Sequence, residues 1–335
     1  MRSVLAILIA VALVMATAAG HAGQPKTEKL QAYAEWHLGQ DLVVDGQRVT
    51  ADQRTKFKGK GVTSLGAIPL GYEVDVKGAR LPDGRLLAQE IEARPNGTAL
   101  FEKEVRTATD EMEAKWLASG GVYEPDSKGE ERLIGKTVAG GADVERARRI
   151  LVRVTPPYVN PSAIRLHVVD TKDWNAMAMG NGALWVFTGL LHDMNDDEVA
   201  FIVGHELAHY THEHTRRRFR KAMWAQLFLA GISVVAEQIK DEKARVAVSL
   251  AGVFTLAALT NGYGRDLEDQ ADRVGLRYAY EAGYDVRRGP ALWQRFKDKY
   301  GDQNRIVNFF LGGHSMATAR IRNLNREIAL NYRAR

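Results

Sequence analysis

Residues 205–209 read His-Glu-Leu-Ala-His, inside the stretch Asp196–Arg218, DDEVAFIVGHELAHYTHEHTRRR, whose patterning predicts helix from end to end. On a helix two histidines four residues apart share one face about one turn apart, so His205 and His209 can reach a single metal ion. Glu206 then lies beside that ion without binding it. In this arrangement zinc lowers the pKa of a bound water and the neighbouring carboxylate takes its proton. Asn195 is the expected N-cap. Glu198 at the third helical position would complete a capping box, and Asp196 and Asp197 suit the positive end of the helix dipole. The arginines at 216–218 near the other end read as a solvated, dipole-compensating face, with a phospholipid patch as the alternative.

Such a motif needs a third ligand. A helix beginning near Asp266 carries Glu268 and Asp272 four residues apart on one face, flanked by Ala271, Val274, Gly275 and Tyr278, which mark that face as packed. Glu268 would complete a His, His, Glu site with its fourth position left to water. Asp272 would accept the free N–H of a ligand imidazole and fix its tautomer. His212 and His214 are not expected as ligands. His212 shares a face with His205 but lies about 10 Å along the axis, whereas zinc–nitrogen bonds are about 2 Å. A third ligand ten residues beyond the first is excluded because position 215 is Thr215.

Upstream of the helix, Ile164–Val169, Asn175–Met179 and Ala183–Phe187 read as strands, the last two joined by the turn Gly180-Asn181-Gly182. An edge strand at Asn175, Ala176, Met177 and Ala178 would offer its main chain to an extended peptide substrate; a purely structural hairpin is the alternative. Helices are expected over Phe101–Leu117 and Ala142–Val154, and the glycine-rich stretch 118–141 between them reads as a mobile loop. Beyond the first metal helix, the apolar stretches 222–236 and 246–259 suit a packed helical hairpin. A membrane-surface contact through 222–259 is the alternative.

The N-terminal part has another character. Arg2, an apolar run from Val4 to Val14 and small residues ending in Gly20-His21-Ala22 read as a secretory signal peptide over 1–22, too short to span a bilayer of about 20 residues. Residues 23–40 read as a linker. From 41 to 95, short β-prone runs divided by Asp-Gly turns predict a small β-barrel. The chain has 335 residues, a net charge of +5 and no cysteine. It therefore carries no disulfide and no lipid-modified cysteine, and no nucleic-acid motif accompanies the modest basic excess. The expected location is outside the cytoplasm, most simply the bacterial periplasm, with a membrane-associated or secreted form as the alternatives.

Two resemblances follow from longer words. "VDGQRV", "LGYEVDVKGARLPDG" and "LLAQEIEA" resemble a small OB-like bacterial β-barrel domain of unknown function, which is either a ligand binder or a spacer. "NAMAMGNGALWVFTGLL", "DEVAFIVGHELAHYTHEH", "RDLEDQADRVGLRYAYEAGYD" and "GGHSMATARIRNL" resemble, in order, the M48 family of zinc metallopeptidases, in its soluble periplasmic and Oma1-like branch. The resemblance implies an α+β fold: a mainly helical zincin domain with a small β-sheet over 98–335, preceded by the barrel. It also implies one zinc ion per chain on His205, His209 and Glu268, and Glu206 as catalytic base. His314 and Arg320 would assist the oxyanion, or His314 would plug the resting site, although Ser315 and Met316 follow His314 where the family usually has a proline. The implied partners are polypeptides, with unfolded or extended envelope proteins as substrates. An envelope binding or assembly factor is the alternative function, and the oligomeric state is not legible.

Overall fold

The computed structural model describes residues 27–95, 102–125, 130–220, 265–301 and 317–332. The chain divides into two compact units, the first reaching Pro95 and the second beginning at Asn96. The signal-peptide segment, the apolar stretches of 222–259 and His314 lie outside the described residues.

The first unit is a closed five-stranded barrel. Strands β1 (Thr27–Leu38), β2 (Asp41–Val44), β3 (Gln47–Lys58), β4 (Glu73–Arg80) and β5 (Leu86–Arg94) run in the order β1-β2-β3-β5-β4 and close through β4 onto β1. All pairs are antiparallel except β3 with β5. Alternate positions fill the interior with Leu42, Val44, Val49, Val74, Val76, Leu86, Ala88 and Ile91, as strand pleating requires. The structure corrects the reading of 23–40 as a linker, because β1 occupies 27–38 and pairs with both β2 and β4. In its first half, Thr-Glu-Lys-Leu-Gln-Ala, Glu28, Lys29 and Ala32 disfavour strands and Thr27 alone is a strong strand former, so pairing with β4 makes it a strand.

The second unit is a five-stranded sheet with helices packed about it. Helix α1 (Glu102–Ala118) precedes strands β6 (Gly121–Pro125) and β7 (Glu131–Val138). The expectation of a mobile loop over 118–141 is therefore corrected: the two segments pair antiparallel, and β7 continues onto β8 (Arg165–Asp170). Helix α2 (Ala142–Val154) lies between them in sequence. The sheet order is β6-β7-β8-β10-β9, which puts β9 (Ala176–Ala178) at an edge beside β10 (Ala183–Phe187). Helices α3 (Thr188–Asp193), α4 (Asp196–Thr211), α5 (Arg265–Glu281), α6 (Arg288–Tyr300) and α7 (Ala317–Asn331) follow.

Helix α1 lays Val105, Thr109, Glu113 and Trp116, all buried, against the sheet. Trp116 meets the indole of Trp185 edge-on at 5.1 Å. The Glu113 carboxylate accepts from Arg165 (2.6 and 2.9 Å), His167 (2.7 Å) and the Asn181 amide (2.7 Å). Asn181 sits in the β9–β10 turn, so this buried acid ties helix, central strand and turn together. Gly182 closes the turn at φ 89°, where a Cβ would stand 2.1 Å from the Ala163 carbonyl oxygen. The edge strand is thus held by its turn as well as by its ladder.

Candidate metal centre and active site

Helix α4 starts as its sequence demands. The Asn195 side chain accepts from Glu198 N–H, and the Glu198 side chain accepts from Asn195 N–H, each at 3.0 Å. Arg295 of α6 also bonds the Glu198 carboxylate at 2.7 and 2.8 Å. Its other end departs from the expected unbroken helix. The chain leaves α4 at His212, Glu213 takes φ 50°, and residues 214–220 turn helical again.

Helices α4 and α5 cross at a pair of glycines. A Cβ on Gly275 would lie 2.5 Å from His205 N, and one on Gly204 would lie 2.8 Å from the Gly275 carbonyl. With no side chain between them, the two backbones touch. That approach carries Glu268 and Asp272 of α5 onto His205 and His209 of α4.

The three expected ligands converge. His205 Nε2 and His209 Nε2 are 3.0 Å apart, and Glu268 oxygens lie 3.4 Å from the first and 3.6 Å from the second. All three residues are buried. Tetrahedral zinc with bonds of about 2.05 Å separates its ligand atoms by about 3.3 Å, a spacing these distances bracket. Two imidazoles, one carboxylate and that spacing fit one zinc ion, the cofactor of the donor set.

Neighbouring side chains hold the ligands in place. His205 Nδ1 lies 3.0 Å from Asp272 Oδ1. Arg320 of α7 donates to both Asp272 oxygens, at 2.8 and 2.5 Å, and stands 3.4 Å from Glu268. Its guanidinium lies over the Trp293 ring, 3.5 Å from the centroid. Arg320 is fully buried, and its guanidinium is taken up by Asp272 and the Trp293 ring. Burial alone would raise the Asp272 pKa, but the Arg320 charge and hydrogen bonds outweigh it and hold the carboxyl below its ordinary value. Burial and Arg320 push the His205 pKa down, while hydrogen bonds to Asp272 and Glu268 push it up and prevail, at about 9. Metal binding would displace the proton His205 holds there.

Glu206 faces the edge strand. The Ala178 N–H donates to Glu206 Oε2 at 3.1 Å. Burial raises its carboxyl to about 7, against the pull of His205 and with the push of Glu268, close to the value that suits a general base. Along β9 the main chain alternates. Asn175 accepts from Phe187 N–H and Met179 donates to Ala183, so these odd positions, with Met177, turn their main chain toward β10. Of the four residues expected to bind substrate, Ala176 and Ala178 alone turn main-chain groups to the outer edge.

His214 is the residue that sequence reasoning missed. It is no member of the ligand triad, as expected, yet its Nδ1 lies 2.7 Å from His209 Nδ1 and its Nε2 lies 3.1 Å from Gln270 Oε1. On a continuous helix a residue five positions on points about 140° away, so only the break at 212–213 brings it back. The polar run Tyr210–Thr215 was the one sequence sign of that break. Burial, then the charges of His209 and Arg217, hold the His214 pKa well below the ordinary histidine value.

A model of peptidase family M48 matches residues 148–328, more than half of the chain. The chain belongs to peptidase family M48. A domain of unknown function, DUF5666, matches residues 34–92, the barrel. Among M48 relatives, the mitochondrial metalloendopeptidase OMA1 of Danio rerio is 32% identical over 57% of this chain and 42% of its own length. That of Bos taurus is 33% identical over 39% and 26%. Metalloprotease YcaL of Escherichia coli (strain K12) is 28% identical over 48% and 60%. The chain thus matches less than two thirds of the length of each of these relatives. Among the described residues no helix is long and apolar enough to cross a membrane.

Proposed function

We propose that this M48 chain is a zinc-dependent endopeptidase that hydrolyses peptide bonds of unfolded or extended proteins of the bacterial envelope, in protein quality control. The observation that carries the reading is the placement of Glu206, buried beside the His205, His209 and Glu268 triad and bonded to the edge strand through Ala178. Zinc held by the triad would supply Lewis-acid chemistry, polarising a carbonyl and activating water. Glu206 takes the proton of the attacking water and delivers it to the leaving amine. The outward main chain of Ala176 and Ala178 aligns an extended substrate by strand addition, which reads few side chains and so suits unfolded segments. Arg320 and Asp272 keep the ligand set in register. The expected signal peptide at 1–22 supports an envelope location.

Glu206→Gln should lower casein cleavage by at least about 10²–10⁴-fold and leave zinc content unchanged. Normal turnover by that variant would sink the mechanism. A second reading, an envelope binding or assembly factor, is favoured by the barrel. It carries a groove of about 920 Å³ lined by His37, Asp41, Arg48, Asp52, Phe57 and Arg85, among others. If the Glu206→Gln protein restores a deletion strain to its wild-type phenotype, binding outranks proteolysis.

A further inference from the structure

The two metal-binding imidazoles are supported in different ways. His205 presents Nδ1 to the carboxylate Asp272 at 3.0 Å, with the Arg320 guanidinium that bonds the same carboxylate 3.2 Å from that nitrogen. His209 presents Nδ1 to another histidine, at 2.7 Å, and between two imidazoles either ring can be the donor. The direction of that bond decides whether His209 Nε2 carries a lone pair for a metal or a proton that blocks it.

Groups further from the metal settle the direction. Arg217 Nη1 lies 2.7 Å from Gln270 Oε1, and a guanidinium only donates. The Gln270 atom facing it must therefore be the amide oxygen. That oxygen also lies 3.1 Å from His214 Nε2, and since it can only accept, His214 Nε2 must carry the proton. An imidazole that binds metal through Nε2 carries its proton on Nδ1, so of the two facing Nδ1 atoms the one on His209 is the donor. His214 Nδ1 then accepts the His209 Nδ1–H, and His209 Nε2 points its lone pair at Glu268 and His205. From this chain we infer that His214 is a positioning residue that sets the tautomer of the second zinc-binding histidine, with Gln270 and Arg217 fixing its own. The relay runs Arg217 to Gln270, then His214 to Gln270 and His209 to His214. It rests on the reading that the triad holds zinc, and it assigns a purpose to the kink at Glu213.

The relay makes His209 a ligand backed by a neutral acceptor, while His205 is backed by an anion. Replacing such a partner costs about 10–100-fold in metal affinity. His214→Phe keeps the ring volume and removes the acceptor, so zinc affinity in chelator competition should fall by about that factor. His214→Asn places Oδ1 near the lost Nδ1 and should recover affinity toward the wild-type value. On the zinc-loaded wild type with ¹⁵N-labelled histidine, long-range ¹H–¹⁵N correlation should show His214 protonated on Nε2 and His209 on Nδ1. A His214 protonated on Nδ1 overturns the relay whether or not the variants fold. Equal zinc affinity in wild type and His214→Phe overturns it, as does an equal loss in the Phe and Asn variants, which marks a packing role. Wild-type protein that takes up no Zn²⁺ sinks the metal reading itself and the relay with it, whereas the other outcomes leave the metal reading standing.

Discussion

The barrel and the peptidase unit handle charge in opposite ways. On the barrel, acids and bases pair at the surface: Arg80 with Glu28 at 2.6 Å, Arg94 with Asp75 at 2.7 Å, and Glu90 between Lys58 and Lys77 at 2.9 and 3.0 Å. Its core cluster is apolar, and its two buried acids, Glu35 and Asp41, accept from Gly46 N–H and Arg48. In the peptidase unit Glu206, Glu268, Asp272, Arg320, His205, His209 and His214 are all buried, none above 3% exposed. Surface pairs are worth little, and buried ones must overcome a desolvation cost of several kcal/mol per ion. A fold that needed only stability would keep most of its charges at the surface, as the barrel does. The buried set is there because a metal site needs ligands and ligand partners fixed in a dry environment.

The comparison breaks most visibly at its deepest charge. Arg320→Leu leaves Asp272 and Glu268 buried without their counter-ion, and should cost the peptidase unit about 3–5 kcal/mol in urea unfolding. A change within about 1 kcal/mol would show that the buried carboxylates are satisfied some other way. Next comes the glycine crossing. Gly275→Ala pushes a methyl against the His205 main chain, and should cost about 1–3 kcal/mol together with a measurable loss of zinc affinity. Retained zinc affinity would mean that the helices do not set the ligand spacing. Asp272→Asn keeps the shape but removes the anion behind His205, and should weaken zinc by about 10–100-fold with a smaller effect on folding. On the barrel the effect should nearly vanish: Arg80→Ala should change stability by at most about 1 kcal/mol. A larger loss there would mean that surface pairing, rather than the apolar interior, holds the barrel closed.

Much of the site was legible because its residues sit on helices at fixed spacings. His205, Glu206 and His209 on one face, Glu268 and Asp272 on another, and the capping box at Asn195 and Glu198 are consequences of a period of 3.6 residues. Strands β9 and β10 and their turn were legible from alternation and glycine. What escaped was non-local. Strand β1 is made by its pairing partners against a weak local preference. The segments β6 and β7 are ordinary turn-rich sequence until they pair. Arg320 reads as a candidate for the oxyanion on motif grounds, and only the packing of α7 shows that it bonds Asp272.

By itself, then, the sequence determined the family and pointed to the three residues that the structure brings together as a candidate metal site, since these depend on residue type and spacing along single elements. Tertiary structure decided the rest. The contact of Gly204 with Gly275 sets how near the two ligand helices approach, and the turn at His212–Glu213 brings His214 back behind His209. Neither follows from a local pattern, because both depend on where two chain segments meet, and on the lack of a side chain or the reversal of one backbone angle that lets them do so.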